Sequence, residues 1–182
     1  MRFTSYITIA LTFVGATLAL PVAKRSASDI ESALSTIASD LVGLDSAAVA
    51  YPAGGSLIDA LSIDIKVNSL GSDVSAATTA VKSVTSLSEA DGQAILTAVQ
   101  GYFSVASDIM QQLVTKKSGF TSLPIPGIEG IILQGIQSMA DNFNALGSSL
   151  VAIAPADLQA TANTILQAIT PVFAPAIAAY SS

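Results

Sequence analysis

The hydrophobic residues of this chain recur at steps of three and four over long stretches, a spacing that places them on one face of an α-helix. Before the first stretch, Ser28 and Glu31 have the spacing of a capping box, which predicts a helix from Ser28 to about Ala48. The apolar face of this helix is Ile30, Leu34, Ile37, Leu41 and Leu44. No stretch alternates β-branched and polar residues as a strand would, so we predict an all-α fold.

A turn at residues 51–55, rich in glycine and proline, separates the first helix from a second one that begins at Ser56 and ends near Ser86. The predicted apolar stripe of the second helix is Leu57, Leu61, Ile65, Leu70, Val74, Val81 and Val84. A third helix begins at Ser88 and ends near Lys116 and Lys117, whose charges suit the negative end of its dipole. Its stripe is Ile95, Val99, Phe103, Ala106, Met110 and Leu113.

Residues 118–127 contain two prolines and are predicted to form a loop, because proline cannot continue a helix. Phe120, Leu123 and Ile125 are apolar side chains on this loop. Such residues either form a movable cover over an entrance to the interior or pack over the end of the bundle as core. In the second case, the entrance is expected beside the turn at residues 51–55.

A fourth helix is predicted from Ile128 to Ile153, and Pro155 suits the first turn of a fifth. Pro171 lies inside the fifth helix, so we expect a kink near that proline. The segment from Leu158 onwards is interrupted by polar residues and prolines, and we interpret it as a core-facing helix without a transmembrane span. The whole pattern predicts one bundle of five helices with largely antiparallel neighbours.

The N-terminus has the features of a secretory signal: Arg2, a short apolar run, and small residues before Ala19. We predict a signal peptide at residues 1–19 and a pro-segment at residues 20–25 that ends in the dibasic pair Lys24 and Arg25. The folded domain then comprises residues 26–182. Because cleavage removes three of the seven basic residues and none of the 13 acidic ones, the mature chain is acidic and extracellular.

Composition excludes most catalytic and metal chemistry, since the chain has no Cys and no His. The acidic pairs Asp29/Glu31 and Glu89/Asp91 lie in predicted first turns and are interpreted as helix-dipole partners. A net charge of -6 without a basic stripe makes nucleic acid an unsuitable partner. We therefore predict a protein that is not an enzyme and needs no cofactor or metal.

The signal peptide, the dibasic site, the Ala- and Ser-rich helical remainder and the segment IKVNSLGSDVSAATT at residues 65–79 together point to a family. In these features the chain resembles the fungal hydrophobic surface-binding protein A and cell-wall galactomannoprotein family. The resemblance implies a secreted or wall-associated helical bundle. It also implies one of two activities, because some members adsorb to hydrophobic surfaces and others enclose fatty acids.

We predict that the chain binds a fatty acid or similar amphiphile between its helices, although such apolar residues more often form a plain core. The predicted wall residues are Leu61, Ile65, Val99, Phe103, Ile132, Met139, Phe143 and Ile169, with Gln111 and Gln137 near the polar head. Glycines 71, 101, 135 and 147 either permit close helix contact or leave room for the ligand. The alternative is a surface-active protein that adsorbs to hydrophobic surfaces and recruits a secreted hydrolase.

Overall fold

The computed structural model describes residues 21–181, with side chains from residue 27 onwards, so the predicted signal peptide lies outside the described residues. The long helices are α1 (Pro21–Ala50), α2 (Leu57–Lys82), α3 (Glu89–Thr115), α5 (Ile128–Ile153) and α6 (Gln159–Tyr180). A short helix α4 (Lys117–Thr121) follows α3, and a 3-10 turn at Ala156–Leu158 precedes α6. Residues 21–181 contain no strand, and the all-α prediction is confirmed.

The five long helices form a closed ring in the order α1, α2, α5, α6, α3 and back to α1. Consecutive long helices run in opposite directions, as expected for short connections. Around the ring, however, α1/α3, α3/α6 and α2/α5 are neighbours that run parallel. Two hydrogen bonds show this for α1 and α3, because their partners follow the same order along both helices. Tyr102 donates to the carbonyl of Leu34 at 2.5 Å, and the later residue Lys116 donates to the carbonyl of the later residue Ala48 at 2.8 Å.

The predicted start of the first helix is wrong, because α1 begins at Pro21 and Ser28 lies in its interior. Proline is well suited to the first helical position, and the residues after it continue the helix. The buried face agrees with the prediction, since Ile30, Leu34 and Leu41 are all in the core. The first core side chain among the described residues is Ala27, so the predicted cleavage after residue 25 removes none of them.

The predicted stripe of α2 is wrong in its first half. Leu61 and Ile65 are 52% and 68% exposed, and Ala60 and Ile63 are buried in their place. The physical reason is that Leu57, Leu61 and Ile65 follow one another at steps of four, and each such step rotates about 40° beyond a full turn. The predicted stripe therefore rotates away from the core. The buried residues of α2, such as Ala60, Ile63, Leu70 and Val74, stay on one face because steps of three and four are combined.

Two consecutive lysines after α3 bind the carboxyl ends of other helices. Lys116 donates to the carbonyls of Ala48 and Val49 at the end of α1, and Lys117 donates to that of Ala179 in the last turn of α6 at 2.6 Å. Cations are stabilising at helix carboxyl ends. The two lysines were predicted to suit the negative end of the α3 dipole. In the structure they also join the end of α3 to the ends of α1 and α6.

Residues 117–121 are helical, so the predicted loop is wrong for its first part. Phe120 lies on α4 and is buried, whereas Pro124 and Pro126 follow the helix and are exposed. Burial of one large aromatic side chain stabilises this single turn, which is too short to form alone. The loop is therefore restricted to residues 122–127.

Helix α6 continues without interruption through Pro171 and Pro175, so a bend near Pro171 stays a prediction. Two segments of the described chain, Ala27–Ala50 and Ala156–Tyr180, are long and apolar enough to cross a membrane by length and composition alone. Both contribute side chains to the common core, among them Ile37 and Ile169. Core helices of folded domains have this character.

Candidate functional site

An open cleft of about 660 Å³ lies between the parallel helices α2 and α5. This volume is within the range of sites that hold drug-sized ligands. The α2 wall is Asp64, Val67, Asn68, Gly71, Ser72 and Ser75, and the α5 wall is Ile131, Gln134, Gly135, Ser138, Met139 and Asn142. Polar side chains therefore predominate in the open part of the site.

A second, apolar pocket of about 60 Å³ lies beneath the cleft, towards the core of the ring. Its walls come from α2, α3, α4 and α5, and they include Ile63, Leu113, Phe120, Ile128, Ile132 and Ile136. Five residues line both spaces: Asp64, Val67, Ile131, Gly135 and Met139. The site thus changes from polar to apolar across one shared wall, which is the arrangement that an amphiphile requires.

Two of the predicted glycines form the cleft. A Cβ atom added at Gly135 would lie 3.7 Å from Cγ1 of Val67, and one at Gly71 would lie 3.3 Å from Nδ2 of Asn142. Both positions therefore point towards the opposite wall: a Cβ at Gly135 would make ordinary contact there, and one at Gly71 would require the Asn142 amide to shift slightly. Gly147 is different, because its Cβ would come within 2.9 Å of Cδ1 of Ile169, and there the glycine permits close contact between α5 and α6.

The polar groups of the cleft are only partly engaged. The Asn68 side chain donates to the carbonyl of Asp64 at 2.9 Å and to its carboxylate at 3.2 Å. Among residues 21–181, the side chains of Gln134, Ser138 and Asn142 make no hydrogen bond with protein groups. These groups are available to a ligand.

The structure divides the predicted wall residues into three groups. Ile132 and Met139 line the apolar pocket. Val99, Phe143 and Ile169 are buried elsewhere in the ring and Phe103 packs against the same core, with the Phe143 and Phe173 rings 6.0 Å apart. Leu61 and Ile65 are on the outer surface, where they cannot line an internal site, and Gln111 and Gln137 are exposed outside the cleft.

The predicted entrance residues lie at the end of the ring where α1 ends. Phe120 is buried and stacks on Tyr51, while Leu123 and Ile125 are half-buried. Phe120 also lines the apolar pocket, so it covers the inner end of the site. The residues on the α2 side of the site, such as Asp64, Val67 and Asn68, were not predicted from the sequence, although Gly71 in mid-helix was a signal for them.

Acidic side chains of α1 face acidic side chains of its neighbours. Burial first, and the charge of Asp108 second, raise the pKa of Asp45. Burial, and then the hydrogen bond and charge of Asp73, raise the pKa of Asp40, against the lowering effect of Lys66. Neither carboxylate lies in the cleft, and no group of three His, Cys, Asp or Glu residues in the described part of the chain could hold a metal ion.

The acidic pairs at the predicted helix starts have different roles. At α3, the Ser88 hydroxyl accepts a hydrogen bond from the Asp91 backbone N–H at 3.2 Å, which confirms the predicted cap. Glu31 lies inside α1, so its predicted role at a helix start is wrong. Burial, and then the charge of Asp91, raise the pKa of Glu31.

The molecule is therefore a closed ring of helices with an amphipathic cleft between two of them. Residues 27–152 match the family model described as Hydrophobic surface binding protein A, and the chain belongs to this family. The protein is 26% identical over 181 residues to cell wall mannoprotein 1 of Aspergillus flavus. That match covers 99% of this chain and 63% of the mannoprotein, so the chain spans less than two thirds of this relative.

Solved structures show the same fold. The crystal structure of AFMP4P in complex with palmitic acid is 28% identical, with a TM-score of 0.78, and the match covers 85% of this chain and 99% of that one. Ligand binding domain 1 of the Penicillium marneffei MP1 protein, complexed with arachidonic acids, is 16% identical with a TM-score of 0.77. That match covers 87% of this chain and 100% of the domain.

Proposed function

We propose that the protein binds a fatty acid or similar single-chain amphiphile between α2 and α5, with the acyl chain in the apolar pocket and the polar head in the cleft. The observation that carries this proposal is the wall shared by the two spaces, which includes Val67, Gly135 and Met139. The palmitic acid complex of AFMP4P, a protein with the same fold, supports it.

The apolar pocket must expand to accept an acyl chain, because about 60 Å³ is well below the usual volume of a ligand site. Met139 and Ile132 lie on its wall, and methionine is unbranched and adapts its shape easily. Each methylene group that leaves water contributes about 0.8 kcal/mol. Each inserted methylene group therefore helps to offset the cost of moving these side chains.

The proposed activity is binding without catalysis. The chain has no His or Cys to act as base or thiol nucleophile, and the polar groups of the cleft are amides, hydroxyls and the carboxylate of Asp64. We further propose that secretion removes residues 1–19 and that cleavage after Arg25 releases the mature domain. The similarity to cell wall mannoprotein 1 supports an extracellular or wall-associated location.

Native mass spectrometry of the secreted protein, followed by delipidation and titration with palmitate, tests the proposal. We expect saturable binding of one or two ligands per chain. Gly135→Leu should fill the shared wall and weaken binding at least tenfold, whereas Gly130→Leu on the same helix should not, since a Cβ at Gly130 meets nothing within 4 Å. Absence of saturable binding, or equal binding by both variants, would refute the proposal.

Adsorption to hydrophobic surfaces is the second candidate, and exposed apolar side chains on α2 favour it. Ile58 is 80% exposed and lies on the outer face together with Leu57, Leu61 and Ile65. These four residues are called the α2 patch below. A film on hydrophobic beads, formed in proportion to bead area and unchanged when the protein is saturated with palmitate, would assign adsorption to a surface outside the cleft.

A further inference from the structure

The polar side chains that line the cleft are amides, hydroxyls and one carboxylate. We propose that the cleft prefers amphiphiles with a neutral hydroxylated head, such as a monoacylglycerol or a fatty alcohol, over a free fatty acid in its ionised form. This inference rests on the proposed function, because it assumes that the acyl chain occupies the apolar pocket.

The charge of the cleft lining disfavours a carboxylate head group. Asp64 is the one ionisable residue of the cleft lining, which contains no Lys or Arg. The nearest lysine in sequence, Lys66, lies on the side of α2 that faces α1, where its Nζ is 3.5 Å from the position of a Cβ added at Gly43. A ligand carboxylate in the cleft would therefore gain no cation from the lining and would be repelled by Asp64, which weakens its binding.

The hydrogen-bonding groups of the cleft favour a head group that both donates and accepts. The Asp64 carboxylate, which accepts a hydrogen bond from Asn68, and the Oδ1 atom of Asn68 are acceptors, so a ligand pairs with them only by donating. The amides of Gln134 and Asn142 both donate and accept, as does the hydroxyl of Ser138. A ligand hydroxyl also donates and accepts, so each hydroxyl of a head group can pair with both a donor and an acceptor among these groups. A carboxylate only accepts, so it can pair with the amides and the hydroxyl but offers no donor to the oxygens of Asp64 and Asn68.

The size of the cleft favours a head group larger than a carboxyl group. The polar cleft, at about 660 Å³, is much larger than the apolar pocket beneath it. A carboxyl group has three heavy atoms and leaves most of this volume to water. A head group with several hydroxyls makes contact with both walls, from Asn68 on α2 to Asn142 on α5.

Competition binding to the delipidated full chain at pH 7.5 tests the inference with three ligands of equal chain length: 1-monopalmitoylglycerol, hexadecanol and palmitate. We expect monopalmitoylglycerol to bind at least tenfold more tightly than palmitate, with hexadecanol also ahead of palmitate. Palmitate binding at least as tight as that of monopalmitoylglycerol would overturn the inference and leave the proposed function intact. If none of the three binds, the proposed function fails and the inference fails with it.

Charge variants locate the preference. Asp64→Lys should strengthen palmitate binding at least tenfold and remove the preference for the neutral lipids. Asp141→Lys is the matched control, because Asp141 is exposed on α5 outside the cleft lining and the change in net charge is identical. Asp64→Asn, which alters shape little, should reduce the preference by a smaller factor. Equal palmitate affinity in the Asp64→Lys and Asp141→Lys variants would contradict the assignment to this cleft.

Discussion

The rings of Tyr51 and Phe120 stack with their centroids 4.0 Å apart and their planes 4° from parallel. Tyr51 follows the end of α1, and Phe120 is on α4, so the stack joins the two segments that the sequence offered as alternative entrances. The Tyr51 hydroxyl also accepts a hydrogen bond from the Ser56 backbone N–H at 3.4 Å. Both segments therefore form one closure over the apolar pocket, since Phe120 lines that pocket.

Phe120→Ala is expected to destabilise the protein by about 3 kcal/mol, because it empties a buried aromatic site and removes the ring that covers Tyr51. The same change should accelerate ligand uptake and release, because it removes the side chain that closes the apolar pocket at this end of the ring. Urea unfolding monitors the first effect, and stopped-flow fluorescence with a labelled fatty acid monitors the second.

Tyr51→Phe and Leu123→Ala serve as controls for this prediction. Tyr51→Phe retains the stacked ring and loses one long hydrogen bond, so a cost below about 1 kcal/mol is expected. Leu123 is half-buried and does not line the pocket, so its truncation should leave uptake rates unchanged. A Phe120→Ala variant as stable as the wild type would show that the stack is not part of the core.

Gly119 is predicted to be essential for docking α4 on the turn after α1. A Cβ at this position would lie 2.9 Å from the carbonyl oxygen of Ala53 and 3.1 Å from that of Pro52, and backbone atoms cannot move aside cheaply. Gly119→Ala should therefore cost about 1 to 3 kcal/mol in unfolding free energy. Gly54→Ala in the same turn, where a Cβ meets nothing within 4 Å, should be tolerated. Similar melting temperatures for the two variants would argue against this docking contact.

Local patterns were sufficient to predict the five long helices, apart from the start of α1, because each combines an apolar face with flanking start or stop signals; the short helix α4 was not predicted. Ser88, for example, was identified as a helix start from sequence and accepts the expected hydrogen bond from Asp91. The fourth predicted helix coincides with α5, Ile128–Ile153. In these cases the information lies within a few residues, and tertiary contacts do not oppose it.

The site was harder to predict, because it depends on which helices are neighbours. The ring order places α2 beside α5, and only then do Gly71 and Gly135 share one cleft. Apolar residues surround the first half of α2 on several sides, so periodicity alone selected Leu61 and Ile65 where the core uses Ala60 and Ile63. No local signal relates Tyr51 to Phe120, which are distant in sequence.

Stability should fall as pH rises above the ordinary carboxyl range. The pKa values of Glu31, Asp40 and Asp45 are raised above their ordinary values of 4.5, 3.8 and 3.8, in each case mainly by burial. The folded state therefore binds more protons than the unfolded state between each ordinary value and the raised one. Stability is then greatest at the acidic end of this window and decreases through it, which urea unfolding at several pH values measures.

Asp40→Asn tests the origin of this pH dependence. The amide cannot ionise, so it removes the repulsion from Asp73 on α2 and should make the protein more stable at neutral pH, with a weaker dependence on pH. Asp29→Asn is the control, because Asp29 is an exposed acid on the same helix. Stability that rises with pH in the wild type, or an equal response in the two variants, would contradict the account of the α1 carboxylates.

The α2 patch is predicted to mediate adsorption independently of the cleft. Ile58 and Ile65 are the two most exposed members and make no contribution to the core, so Ile58→Ser with Ile65→Ser should change stability by less than about 1 kcal/mol. The double variant should lose most of its adsorption to hydrophobic beads, because exposed apolar patches bind such surfaces in proportion to their area. Val42→Ser with Val49→Ser is the matched control on α1, where both valines are more than half exposed. Equal loss of adsorption in both double variants would show that general hydrophobicity is responsible. A fall in palmitate affinity together with adsorption, in the α2 variant alone, would show that the patch and the cleft act as one site.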